Sequence, residues 1–196
     1  MMLTHKGTQT IRTPRLTLRQ FTPDDAPQMF ENWARDPRVT KYLTWQPHAD
    51  AAATRSLLED WCARYEQADH YNWAIEFEGR VIGNVSAVRH SDRNRNAELG
   101  YCMGAVWWNR GLMTEAVEAV IRYFFDEVGF HRVVIRHAVK NPGSGRVAQK
   151  CGLTREGVER ESFLSADWEF LDIAYYEILN PKEDCADGEK VPEAEN

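Results

Sequence analysis

Apolar and polar positions alternate with a period of two at Leu16, Thr17, Leu18 and Arg19, which predicts a strand within RTPRLTLRQF. The period then lengthens to that of a helix. Thr22 is placed as an N-cap, Pro23 fits the first helical position, acids fill the first turn, and Met29, Phe30 and Trp33 share a face. DPRVTKYLTWQPH, with two prolines, reads as a loop. ADAAATRSLLEDWCARYEQA reads as a second helix, apolar at Ala53, Leu57, Leu58, Trp61 and Tyr65. The middle of the chain returns to strands: YNWAIEF and RVIGNVSAV around a Glu78–Gly79 hairpin turn, then AELGYCMGAV after the turn HSDRNRN. From Thr114 to Val128 the residues Ala116, Val117, Val120, Ile121, Phe124, Phe125 and Val128 form one helical stripe, stopped by Gly129. HRVVIRHAV predicts a strand. NPGSGRVAQKCG predicts a short helix with Asn141 as cap, Pro142 at N1 and Gly152 at its end, and ADWEFLDIAYYEIL closes the sheet. The order β–α–α–β–β–β–α–β–α–β has neither a repeat nor a linker. It describes one α/β domain over residues 10–180, and its central antiparallel hairpins argue against a doubly wound parallel sheet.

Composition adjusts this picture at the C-terminus. Net charge is −6, and the stretch from Pro181 to Asn196 carries six acids and two lysines without apolar periodicity, so 181–196 is expected to be an acidic disordered tail. The remaining body holds no basic patch suited to nucleic acid. No apolar run approaches the roughly 20 residues of a membrane span, and MMLTHKGTQT lacks the apolar segment of a signal peptide. A cytoplasmic location is therefore expected. Cys62, Cys102, Cys151 and Cys185 show no CxxC pair and read as reduced thiols. The six histidines show neither HxxxH nor HxH spacing, so no metal is expected.

The stretch WNRGLMTEA, residues 108–116, ends a strand and opens the main helix within a few residues. Such a junction converges unpaired backbone N–H groups and the positive end of the helix dipole on one spot, where anions bind. Gly111 lets a ligand approach the backbone, Arg110 adds a charged donor, and Thr114 offers a hydroxyl. Neither GxxxxGK[ST] nor GxGxxG is present.

This stretch resembles the acyl-CoA pyrophosphate loop of the GNAT N-acetyltransferases, and more closely that of the branch containing ribosomal-protein-alanine N-acetyltransferases. Trp108, Arg110, Gly111, Met113, Thr114, Glu115 and Ala116 carry the likeness. It extends in order through Thr13, Arg15, Leu16, Leu18 and Arg19, through Ala97–Tyr101, through Asn141, Ser144, Val147, Lys150 and Gly152, and to Glu156–Gly157. The resemblance implies a single-domain GNAT-like fold with a mixed, mostly antiparallel sheet of about six to seven strands flanked by helices. It implies acetyl-CoA as cofactor and acetyl transfer to a primary amine by direct attack in a ternary complex. A protein N-terminal amine leads among the acceptors. The alternatives are a small amine or antibiotic as acceptor, or a non-catalytic acyl-CoA sensor. A homodimer is left open.

The acetyl-CoA site implied in this way comprises Trp108, Asn109, Arg110, Gly111, Leu112, Met113 and Thr114, with Asn141, Ser144 and the backbone of Cys102 and Met103. Many GNAT enzymes place a general-acid tyrosine seven residues after the asparagine, where this chain has Ala148. In the resembled branch a serine takes that role, at the position of Ser144. Free amines are mostly protonated at pH 7, so a base is needed. Glu98, on the strand feeding the loop, is the candidate, with Glu161 in reserve. Tyr42, Trp45, Tyr71 and Trp73 are the candidate acceptor-binding aromatics.

Overall fold

The computed structural model describes residues 2–182; the tail beyond them, with the predicted disorder and Cys185, lies outside the described residues. One eight-stranded sheet runs in the order β1-β2-β3-β4-β5-β6-β8-β7. The strands are β1 (Ile11–Arg12), β2 (Leu16–Arg19), β3 (Asn72–Phe77), β4 (Arg80–Ser91), β5 (Asn96–Met103), β6 (Arg132–Ala138), β7 (Thr154–Leu164) and β8 (Phe170–Leu179). Every neighbouring pair is antiparallel except β5 and β6. Glu78 and Gly79 close the β3–β4 hairpin with φ of 51° and 72°, the left-handed pair that a two-residue turn needs to match strand twist.

Among the described residues five α-helical segments accompany the sheet: α1 (Ala26–Met29), α2 (Pro37–Thr40), α3 (Ala51–Ala63), α4 (Leu112–Tyr123) and α5 (Pro142–Lys150). The helical stripe of α4 packs Ala116, Val117 and Val120 against Val85, Leu99, Val133 and Ile135 in the principal core. A wide π-helical turn, Phe124–Val128, extends α4, and Gly129 stops it at φ 89°. Ala148 of α5 joins the same core, so α4 and α5 cover one face of the sheet. On the other face Phe21, Met29, Trp33 and Leu58 bury Ala74 and Val81. That second layer reaches β3–β5, and on the same face of β6 and β8 the described residues place Tyr42 and Phe163 against Ala138, Leu171 and Ile173.

Several elements differ from the pattern-based expectation. The first predicted helix is broken into a 3₁₀ turn (Pro23–Asp25), α1 and a π-helical turn (Phe30–Ala34). Pro27 denies α1 one amide, and the widened turn lets Trp33 and Ala34 reach the core. The predicted loop 36–48 contains the helical turn α2, capped by Asp36 Oδ1 accepting from the Arg38 amide at 2.9 Å. The two additional strands are the short β1 and β7. β7 is an edge strand whose residues are nearly all exposed, so it carries no apolar alternation to reveal it.

Tyr71 and Trp73 are core residues, and this corrects their expected place in an acceptor pocket. They are 1% and 0% exposed, stacked on each other at 5.9 Å between ring centroids, with Tyr123 and Phe124 packed edge-on or tilted against them. The Trp73 indole N–H donates to the Gln9 carbonyl at 2.7 Å and the Tyr123 hydroxyl to that of Gly7 at 2.7 Å, so residues before position 10 are part of the packed body.

Candidate active site

β5 and β6 pair in parallel only from Asn96/Arg132 to Leu99/Ile135. Beyond Leu99 the edge of β5 facing β6 is unpaired, and the sheet opens into a cleft of about 420 Å³ lined by Tyr101, Cys102 and Met103 of β5, the loop 107–114, and Asn141 and Ser144 of α5. The loop is anchored by the Trp108 indole N–H, which donates to the Met103 carbonyl at 2.7 Å. At its end Gly111 takes φ 75° and serves as the N-cap of α4. The first helical bond runs from the Glu115 amide to the Gly111 carbonyl at 3.1 Å. Among the described residues, the amides from Asn109 to Thr114 donate to no protein acceptor. A diphosphate fits this cradle: the donors are free, they stand at the positive end of α4, and Gly111 leaves its floor without a Cβ.

A second opening of about 500 Å³ shares Gly111, Thr114 and Lys150 with the cleft and continues it past Thr13, Arg15 and Arg122. Arg15 sits closest to the cradle. Its terminal nitrogen lies 3.5 Å from where a Cβ on Gly111 would stand. Glu115 holds it there, its carboxylate accepting from the Arg15 Nε at 2.6 Å and from the Arg15 amide and Thr13 hydroxyl at 2.9 and 2.6 Å. Arg110, the expected cation, turns away. Its guanidinium lies 5.0 Å from the centroid of the Phe77 ring, and its carbonyl accepts from Arg15. Periodicity shows Arg15 only as an outward residue beside a strand. The resemblance flagged both Arg15 and Glu115, without indicating that they are partners.

Asn141 caps α5 through a 3.4 Å bond from the Ser144 amide to its side-chain oxygen. The Ser144 hydroxyl meets the Tyr101 hydroxyl at 2.9 Å, on the α4–α5 face of the gap. Burial raises the Tyr101 phenol above its ordinary value, so it stays neutral and able to donate. Glu98 belongs to the opposite face, because its side chain alternates with those of Leu99 and Tyr101. Its two oxygens accept from Arg89 Nε and Arg136 Nε, both at 2.8 Å. Arg136 continues to the Tyr175 hydroxyl at 3.1 Å, and Tyr175 donates to Glu159 at 2.7 Å. Burial pushes the Glu98 carboxyl above its ordinary value, and the charge and hydrogen bond of Arg89 pull it part of the way back. Glu98 is not among the residues lining the cleft.

Of the expected acceptor aromatics, Tyr42 lines the cleft together with Val39 and Leu43. Trp45 packs under the second layer beside His48, and neither lines the cleft. The loop carrying Tyr42 is tied to the β7–β8 hairpin by the Ala166 amide donating to the Leu43 carbonyl at 3.0 Å and by Gln46 donating to the Ala166 carbonyl at 2.6 Å. Glu161 lies on β7 with φ 50°, its amide bonded to Asp172, and is also outside the cleft wall.

Residues 15–154 match the acetyltransferase (GNAT) domain family. The chain is 28% identical over 175 residues to the uncharacterized N-acetyltransferase YoaA of Bacillus subtilis, covering 88% of this chain and 98% of the relative. It is 26% identical over 182 residues to the ribosomal protein uS5-alanine N-acetyltransferase of Escherichia coli, covering 87% and 91%. The crystal structure of a GNAT-family acetyltransferase from Bacillus anthracis superposes with a TM-score of 0.76 at 25% identity, covering 88% of this chain and 99% of that one.

Proposed function

The chain belongs to the GNAT acetyltransferase family and is an N-acetyltransferase using acetyl-CoA, and from this premise we propose that its acceptor is the α-amine of a protein or peptide N-terminus. The observation that carries the reading is the gap between β5 and β6 beyond Leu99, lined from one face by the loop with the free amides of Asn109–Thr114 and by Ser144, with Glu98 on the other face in the last paired stretch before the gap. Among the described residues that second face carries no helix over β6 and β8, which leaves an extended chain room to lie against the sheet beside Tyr42. The similarity to an enzyme of uS5 alanine supports the same acceptor class.

Bound acetyl-CoA supplies a thioester carbonyl for attack. The loop amides and Arg15 would hold its diphosphate, and the free edge of β5 beyond Leu99 would offer the backbone of Cys102 and Met103 to its amide-bearing arm. Glu98 receives the proton of the incoming ammonium through a water. Its raised pKa brings it closer to the operating pH, as a base requires. The amine nitrogen would then bond to the carbonyl carbon and release its second proton as the carbon–sulfur bond breaks, while Ser144 relays a proton to the departing thiolate and regains one from that released by the nitrogen. Tyr101, whose hydroxyl lies 2.9 Å from that of Ser144, holds the serine hydroxyl in place.

Cys62, Cys102 and Cys151 are free thiols, and burial pushes the Cys102 thiol up to about 12, so it does not compete as a nucleophile. No described helix is long and apolar enough to cross a membrane. Free thiols and an acetyl-CoA site together suit the reducing cytoplasm. The deciding experiment is an acetyl-transfer screen read by free-thiol release. Peptides with varied N-terminal residues are set against polyamines and aminoglycosides. Turnover confined to peptides supports the acceptor class, and turnover confined to small amines overturns it.

A further inference from the structure

At the end of β4 opposite the cleft, His90 and Asp92 meet His5 from the segment before β1. His5 Nε2 lies 3.2 Å from Asp92 Oδ1, and His90 Nδ1 lies 3.4 Å from the same oxygen. The donor atoms of the three residues all fall within 4.8 Å of one another. Two ligands each about 2.1 Å from one ion at the tetrahedral angle stand about 3.4 Å apart, which is the spacing seen from Asp92 to both imidazoles. His90 Nδ1 is buried and makes no hydrogen bond, so its place in the fold is unexplained by protein contacts alone. The far nitrogen of each imidazole has an oxygen neighbour. His5 Nδ1 is 2.8 Å from the Tyr71 hydroxyl, and His90 Nε2 is 3.9 Å from Asp69 Oδ2. The Tyr71 hydroxyl can accept from His5 Nδ1–H, the tautomer that leaves the Nε2 lone pair toward a metal, and Asp69, beyond hydrogen-bond distance, favours a proton on His90 Nε2 by its charge alone. The rings of Tyr71 and Phe130 form an apolar backing within about 6 Å of both histidines, and exposed Asp92 leaves the outer side open to water.

We propose that His5, His90 and Asp92 bind one divalent transition-metal ion, Zn²⁺ by the chemistry of the donor set, with water at the fourth position. None of the three lines the acetyl-CoA cleft, so the site is separate from acetyl transfer. It clamps the segment before β1 to the end of β4 and the turn that follows. Ion loading adds stability in proportion to the logarithm of its concentration over the dissociation constant.

The test uses the full chain stripped with a chelator and titrated with Zn²⁺ by calorimetry and with Co²⁺ by visible absorption. The expected result is one equivalent bound, four-coordinate d–d bands for Co²⁺, a Zn²⁺-dependent rise in melting temperature, and at least tenfold weaker binding in His90→Gln and Asp92→Asn. Asp92 is 64% exposed, so Asp92→Asn decides the matter if His90→Gln does not fold. Absence of stoichiometric binding, or binding unchanged in Asp92→Asn, overturns the site and leaves the cluster as ion pairing between a carboxylate and two imidazoles.

Discussion

The hydroxyls of Tyr101 and Ser144 stand 2.9 Å apart where β5 leaves β6, and the Ser144 carbonyl lies 3.2 Å from the same phenol. The serine hydroxyl therefore has a neutral phenol behind it and the cleft in front. Ser144→Ala is expected to lower kcat by about 10²-fold, the lower end for a general acid because a thiolate leaves readily. Its KM for acetyl-CoA should change little. Tyr101→Phe should cost about fivefold, the worth of one neutral hydrogen bond of about 1 kcal/mol. Steady-state kinetics of both variants check this, and an unchanged kcat in Ser144→Ala would move the proton donor elsewhere.

Glu98 is held by two arginines, so its loss has two separable consequences. Glu98→Gln is expected to reduce kcat/KM for the amine by about 10²-fold and to flatten the acid limb of the pH profile. The sign follows from the role: a base works when deprotonated, so the parent rate rises with pH through the raised carboxyl value. One of Arg89 and Arg136 would keep a neutral acceptor and the other would face the amide NH₂, at a stability loss of about 1.5–3 kcal/mol. Calorimetry showing parental acetyl-CoA affinity separates the two effects. A lower melting temperature with an unaltered pH profile would restrict Glu98 to holding the arginines.

Gly111 and Arg15 bear on cofactor affinity alone. Gly111→Glu puts a carboxylate where a diphosphate belongs and forces a side chain onto φ 75°, so acetyl-CoA binding should be abolished in calorimetry. Arg15→Ala and Glu115→Gln should each raise the KM for acetyl-CoA with kcat nearly unchanged, the second because Arg15 loses its anchor. Unchanged KM in both would remove Arg15 from the cradle.

Much of this site was readable from residue order, and the unreadable parts have physical causes. α4 is legible because its buried stripe repeats at 3.6 residues, and the cradle because a strand, a glycine and that helix follow one another directly. β7 is silent because an edge strand with both faces wet needs no apolar alternation. Tyr71 and Trp73 misled because an aromatic near a predicted pocket looks the same in sequence whether it faces ligand or core. Arg110 misled for a related reason: sequence gives its charge but not that Phe77 offers it a ring to lie on. Arg15 with Glu115, and His5 with His90, are pairings across 100 and 85 positions that only the fold supplies.

The acid sensitivity of the fold should centre on Asp25. Arg19 grips this buried carboxylate with two nitrogens, each at 2.8 Å, and the Thr22 amide adds a third donor at 2.8 Å. Burial alone would raise its pKa, but the Arg19 hydrogen bonds and charge and the Thr22 amide outweigh it and hold the group below its ordinary value. Because the folded value is depressed, its contribution is complete above the unfolded value of about 3.9 and is lost as pH falls through the folded value. Asp25→Asn should therefore cost about 2 kcal/mol at pH 7, since Arg19 loses its two-nitrogen grip and keeps only the Glu76 carboxylate at 2.7 Å as a charge partner. The deficit should shrink below pH 4 as the parent's own carboxylate takes up its proton. Urea unfolding of both proteins from pH 7 to pH 3 measures this. A deficit that stays constant over that range would show that packing around Asp25, and not its charge, is what the substitution removes.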